Sequence, residues 1–176
     1  MNLLQRKKPR LKEYDYAQEG AYFITICTKN REFSFGGIVA GEMQLNKAGD
    51  IVREEIGDLS ARYDVVEIDE FVVMPNHVHM IVKIVSLEKE TERINPFPTI
   101  DIPNIVGKFK AGVTRKCRER IYAFRKQAIW QKSYHDHIIR NQKIYCLVTE
   151  YIKNNPRQWE LDCHNPQNSK YKKWGG

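Results

Sequence analysis

The sequence is short of cysteine, of long apolar runs and of acidic residues relative to basic ones. Its four cysteines, Cys27, Cys117, Cys146 and Cys163, are far apart and form no Cys-x-x-Cys pair. That excludes a zinc knuckle or dithiol redox motif of the usual spacing and predicts reduced thiols. No apolar run approaches the roughly 18 residues that a membrane span needs, so no membrane partner is expected. The first ten residues carry charge but are followed by no apolar stretch, which is unlike a secretory signal and makes the cytoplasm the expected compartment. No internal repeat and no low-complexity tract is found. What is present is an ordinary globular composition, 41% hydrophobic and 29% charged over 176 residues, enough for one domain with extensions. Lys and Arg number 29 against 22 Asp and Glu, a formal charge of +7. Such a balance favours a polyanionic partner, because basic side chains release counterions when they neutralise phosphates. It is equally compatible with a basic protein kept soluble by its charge.

The order of elements follows from periodicity. Residues 1–20 form a basic arm with Arg6, Lys7, Lys8, Arg10 and Lys12. Residues 21–28 are aromatic and β-branched and predict a first strand. Residues 36–45, broken at Ala40-Gly41, predict a small hairpin. Asn46 can cap a helix over 47–62 whose stripe is Ala48, Ile51, Val52, Glu55, Ile56 and Leu59. Strands are predicted at 64–74 and 77–85, joined tightly at Pro75-Asn76. Residues 86–103 read as a loop. Pro103 opens a helix to about 121, with one apolar stripe and the basic residues Lys108, Lys110, Arg115, Lys116, Arg118 and Arg120 on its other faces. A strand over 129–140 and a helix capped by Asn141 and ending near Asn155 complete the pattern. The expected class is α+β, a ferredoxin-like antiparallel sheet with helices packed on one face, plus N- and C-terminal extensions. The domain is expected at 21–160, with 161–176 a polar tail.

Two features carry chemistry. His77 and His79 are two apart on a strand, so their imidazoles share a face and can reach one divalent ion. Spacing by itself does not separate this from two histidines lining a sheet, since His135 and His137 repeat it. On the last helix, Tyr151 and Asn155 are four apart and neighbours on one face. Tyr151 can be a phenol nucleophile and Asn155 an oxygen ligand. Tyr151 also fits an apolar stripe with Ile144 and Val148. Spacing leaves Tyr122, Tyr134, Tyr145 and Tyr151 undistinguished.

Three ordered blocks break the tie. Residues 72–79 (VVMPNHVH) resemble the histidine motif of the IS200-like transposase superfamily, and of its REP-associated tyrosine transposases in particular. The later block at 130–140 (WQKSYHDHIIR) and the ending at 151–156 (YIKNNP) are similar to that branch as well. The resemblance covers about residues 21–160. It implies a single-stranded DNA transposase that cleaves and rejoins DNA at hairpin (REP-like) sequences through a 5′-phosphotyrosine, with one Mg²⁺ or Mn²⁺. It implies His77 and His79 as metal ligands, Asn155 as a third, and Tyr151 as nucleophile. His137 matches a motif position and His135 does not. The basic helix face, Lys108, Lys110, Arg115, Lys116 and Arg118, is the expected strand-binding surface. Relatives in the superfamily leave both a monomer and a homodimer open. The alternative is a non-catalytic DNA-binding protein of the same descent. A zinc protein using the clustered histidines is a third reading.

Overall fold

The computed structural model describes residues 15–85 and 100–168. The basic arm, most of the 86–103 loop and the end of the tail lie outside the described residues.

Strand β1 (Gly20–Cys27) is followed by a hairpin of β2 (Gly36–Val39) and β3 (Glu42–Leu45). Helix α1 (Lys47–Arg62), strands β4 (Val66–Met74) and β5 (His77–Ile84), helix α2 (Ile102–Arg120), strand β6 (His135–Ile139) and helix α3 (Gln142–Asn154) complete the chain. The main sheet has the order β4-β5-β1-β6, and every pair is antiparallel. With β5 between β1 and β4, the first half is a split β-α-β unit, the ferredoxin-like arrangement expected.

Local chemistry sets the boundaries. The β2–β3 turn at Ala40-Gly41 has positive φ at both residues, 51° and 78°, the combination a two-residue hairpin matched to strand twist requires. Asn46 Oδ1 accepts from the Ala48 and Gly49 amides at 2.9 and 3.0 Å, and Asn141 Oδ1 accepts from Ile144 N at 2.9 Å. Both satisfy first-turn donors that the helix itself cannot. Asp101 does the same for α2, accepting from Asn104 N at 2.7 Å.

Alternation along the strands divides the sheet into two faces. Tyr22, Ile24, Ile26, Val78, Met80 and Val82 point to one face, where α1 and α2 cover them to form the larger core. Phe23, Ile81 and Ile139 point to the other, where Val148 and Ile152 of α3 pack on them. The helices are therefore shared between two faces rather than gathered on one. The apolar stripe of α3 needed a sheet face, and α1 and α2 already filled the first.

The last strand is also shorter than its sequence pattern. Residues 129–134 make only one bridge, Trp130 to Thr28. The Lys110 ammonium donates to the carbonyls of Gln131, Lys132 and Ser133 at 2.8–3.3 Å, which diverts these acceptors from a ladder. Among the described residues, no helix is long and apolar enough to cross a membrane.

Candidate active site

The face under α3 changes character along its length. Antiparallel register sets Phe23 beside Ile81, Thr25 beside His79 and Cys27 beside His77. The apolar end is thus followed by a polar end within the same two strands. The helix above follows suit. Val148, Tyr151, Ile152 and Asn155 lie on one side at spacings of three and four, so its stripe runs from aliphatic to polar over the same distance. The sequence that docks α3 also carries the phenol and the amide to the histidines.

Both imidazoles are fully buried. The Tyr151 hydroxyl lies 3.3 Å from His79 Nε2 within the same chain, and the two rings meet edge-on at 5.2 Å. The rings of His77 and His79 are 4.4 Å apart. Burial holds the pKa of each well below the usual imidazole range, and neighbouring imidazoles lower it further. Neutral imidazole is the form that ligates metal.

Second partners orient these rings. Asn76 Nδ2 donates to the carbonyls of His164 and Arg31 at 2.8 and 3.2 Å. The other end of that amide is therefore an acceptor, and His77 Nδ1 donates to Asn76 Oδ1 at 2.8 Å. This assignment by partners leaves the lone pair of His77 on Nε2. His79 Nδ1 is 2.9 Å from Thr25 Oγ1. An imidazole whose distal nitrogen is held by an oxygen partner is the arrangement found around metal-ligating histidines.

The remaining members come from a segment expected to be tail. Residues 161–168 fold over the histidines, and Asp162 and His164 are buried. The Asp162 carboxylate receives three donors: the Tyr151 hydroxyl at 3.1 Å and Asn155 Nδ2 at 2.9 Å on Oδ2, and the His164 backbone N–H on Oδ1. The His164 ring stands 4.6 Å from that of His77. Its Nδ1 lies 3.6 Å from Cys27 Sγ, and burial pushes its pKa down to about 4 against the pull of Asp162.

The donor set suits a cation. His77 Nε2, Asn155 Oδ1 and His164 Nε2 are buried and make no hydrogen bond of ordinary geometry among the described residues. Buried acceptors left this way are costly unless something satisfies them. Ligand atoms of His77, His79 and Asp162 all lie within 4.8 Å of one another. A divalent ion between imidazole and oxygen ligands would satisfy them.

The structure thus brings Tyr151, His77, His79 and Asn155 together. His135 and His137 share the same sheet face, beside Thr25 and Phe23, but His135 is exposed and neither belongs to the cluster. Asp162 and His164 were missed by sequence reasoning. Their one signal is an Asp-Cys-His triplet in a polar stretch, and no spacing rule joins it to residues 85 positions earlier.

Two of the five basic residues expected to bind DNA, Lys110 and Lys116, are engaged inside the protein. α2 packs on the sheet face opposite the histidines, so its residues do not line the site. Lys116 is buried and bound to Glu54, Glu55 and Asp58 at 2.8–2.9 Å, so its charge is spent inside the protein. Lys110 holds backbone carbonyls, as above. Lys108 sits 5.1 Å over the Tyr63 ring. Arg115 is exposed and 3.5 Å from Glu119. Arg115 and Arg118 border an open groove of about 680 Å³ whose other wall includes Trp130 and Lys132.

Three comparisons place this arrangement. A protein of Haemophilus influenzae that is itself uncharacterised is 42% identical over 167 residues, covering 89% of this chain and 91% of that protein. A solved structure of a REP-associated tyrosine transposase bound to a REP hairpin is similar in fold, with a TM-score of 0.58 and 24% identity over 85% of this chain and 74% of the other. The sequence model described as "Transposase IS200 like" matches residues 17–155, a span that contains His77, His79, Tyr151 and Asn155. The chain belongs to the IS200-like transposase family.

Proposed function

We propose that this protein cleaves and rejoins single-stranded DNA, with Tyr151 as nucleophile and one Mg²⁺ or Mn²⁺ held by His77, His79 and Asn155. The observation that carries the reading is the approach of the Tyr151 hydroxyl to His79 Nε2, 3.3 Å within one chain. A phosphate bound at that point would meet the nucleophile and the metal ligands together. No second copy is needed to bring them there, which favours action as a monomer.

A phosphodiester is anionic and repels an incoming oxygen. The bound ion supplies charge neutralisation on the scissile phosphate. The chain does the rest. Asn76 and Thr25 hold the imidazoles in register with the phenol. The rigid backbone of α3 sets the distance between Tyr151 and Asn155, and the fold of residues 159–168 limits water around them. Attack by the phenol oxygen gives a 5′-phosphotyrosine and a free 3′-OH. The covalent link conserves the bond, so another 3′-OH can reverse the step without ATP. Oxygen ligands suit Mg²⁺ and Mn²⁺ alike, and the two imidazoles are the part of the set that Mg²⁺ ordinarily avoids.

A hairpin-bearing strand is the substrate class we assign, supported by the hairpin held in the structure of similar fold. Arg115 and Arg118, with Lys108, remain as contacts for flanking phosphates outside the site. The DNA would be met in the cytoplasm.

The test is incubation with single-stranded DNA carrying a REP-like hairpin and Mn²⁺. A covalent protein–DNA adduct is expected, and Tyr151→Phe is expected to abolish it. An adduct that persists in that variant would move the nucleophile elsewhere. Hairpin binding with no adduct under any divalent metal would favour the non-catalytic alternative.

A further inference from the structure

We infer that Asp162 is a catalytic residue for the cleavage step: it aims the Tyr151 hydroxyl and accepts its proton. The inference rests on the functional reading above and adds a group that the family match, ending at residue 155, does not reach.

A phenol has one proton, and two groups stand near enough to Tyr151 to take it. His79 Nε2 is at 3.3 Å and Asp162 Oδ2 at 3.1 Å. An ionised carboxylate is acceptor-only and makes the stronger, charge-assisted bond. His79 Nε2, moreover, is the lone pair that the metal reading commits to the cation. The carboxylate lies within the reach a general base needs; its oxygen also stands within 4.8 Å of the His77 and His79 ligand atoms, so the metal titration below separates the two roles.

The carboxylate is also held in place rather than free to turn. The His164 N–H fixes Oδ1, and Asn155 Nδ2 fixes Oδ2. The segment that carries it is itself folded: the Asn165 N–H donates to the Asp162 carbonyl at 3.1 Å, and Asn165 Nδ2 donates to the Trp159 carbonyl at 3.1 Å. The bond from Asn155 has a second effect. With its Nδ2 turned to Asp162, the Asn155 amide keeps its buried Oδ1 without a hydrogen-bond partner among the described residues.

The step balances as follows. The bond from the Tyr151 oxygen to phosphorus forms and the bond from phosphorus to the 3′ oxygen breaks. The phenol proton passes to Asp162 Oδ2, and the departing 3′ oxygen takes a proton from water. In rejoining, the attacking 3′-OH gives its proton to the hydroxide that cleavage left in solvent, and Asp162 returns its own to the phenol.

The experiment uses the full chain and four readouts on Asp162→Asn: adduct formation on the hairpin strand with Mn²⁺, Mn²⁺ binding by titration calorimetry, hairpin binding, and rescue by a ring-fluorinated tyrosine at position 151. A fluorinated phenol gives up its proton more readily and depends less on a base. Asp162→Asn is expected to slow adduct formation by about 100-fold or more, with Mn²⁺ and hairpin binding within about threefold of the parent, as the proposal requires if Asp162 acts only on the proton. The fluorinated residue is expected to recover most of that loss. An unchanged rate would overturn the proposal, as would an equal defect with either phenol. Loss of Mn²⁺ binding as severe as in His77→Ala would overturn it too, making Asp162 a metal ligand. An adduct that survives Tyr151→Phe would instead sink the functional reading on which it rests.

Discussion

At the scale of single residues, the site is built from pairs in which one side chain fixes another. Asn76 lies in a tight turn, yet it decides which nitrogen of His77 bears the proton, because its amide nitrogen is committed to two carbonyls. Asn76→Ala is expected to lower Mn²⁺ affinity by about 10–100-fold, the usual cost of losing a partner of a ligating histidine, with little change in hairpin binding; calorimetry on the purified variant checks it. The phenol shows the same dependence. Burial pushes the Tyr151 pKa far up, and the Asp162 carboxylate raises it further. Without a cation the phenol therefore stays protonated throughout the neutral range. Chelation is accordingly expected to stop adduct formation at neutral pH, and added Mn²⁺ to restore it. Adduct formation undiminished in chelator would remove the metal from the account.

At the scale of elements, α1 and α2 are joined by ions as well as by apolar contact. Glu55 is fully buried and meets Lys116 at 2.9 Å and Arg62 Nη1 at 2.6 Å. Lys116→Ala would leave that carboxylate with one cation, and breaking such a pair costs about 3–5 kcal/mol. Urea unfolding is the measurement, and a loss under about 1 kcal/mol would mean the pair contributes as little as a surface bridge. The same network gives a pH dependence. Hydrogen bonds from Lys116 hold the carboxyls of Glu54 and Asp58 below their usual range. A depressed folded pKa means stability that is present above the ordinary carboxylate value near about 4 and is lost as pH falls through the folded value. The acid-induced drop in urea midpoint is expected to be smaller in Lys116→Ala than in the parent. Gly112 serves the same contact: a Cβ there would stand against the Glu55 carboxylate, too close for any real atom. Gly112→Ala is expected to disturb the helix pair, seen as a lower melting temperature.

At the scale of the whole molecule, the sheet separates two tasks: α1 and α2 stabilise one face, and α3 with residues 159–168 encloses the site on the other. Arg115→Ser with Arg118→Ser is therefore expected to weaken strand binding about equally for all sequences and to flatten its salt dependence, leaving Mn²⁺ affinity unchanged. A loss of metal binding in that double variant would contradict the separation. Much of this was legible in the chain. Aromatic and β-branched runs marked β1, β4 and β5, asparagines marked two helix starts, and the motif blocks pointed to His77, His79, Tyr151 and Asn155, because each signal lies within a few residues of sequence. Other features needed the coordinates. Lys116 reads like any exposed lysine on a basic helix until α1 is packed beside it. Residues 129–134 read as strand until Lys110 takes the carbonyls of Gln131, Lys132 and Ser133. Asp162 and His164 sit in a polar stretch with no periodicity, and only tertiary folding carries them 85 positions back to His77 and His79. The sequence by itself determined the elements and the chemical kinds of group, since those follow from local spacing. The tertiary structure alone decided which charges face inward and which carboxylate meets the phenol, because burial and long-range contact have no local signature.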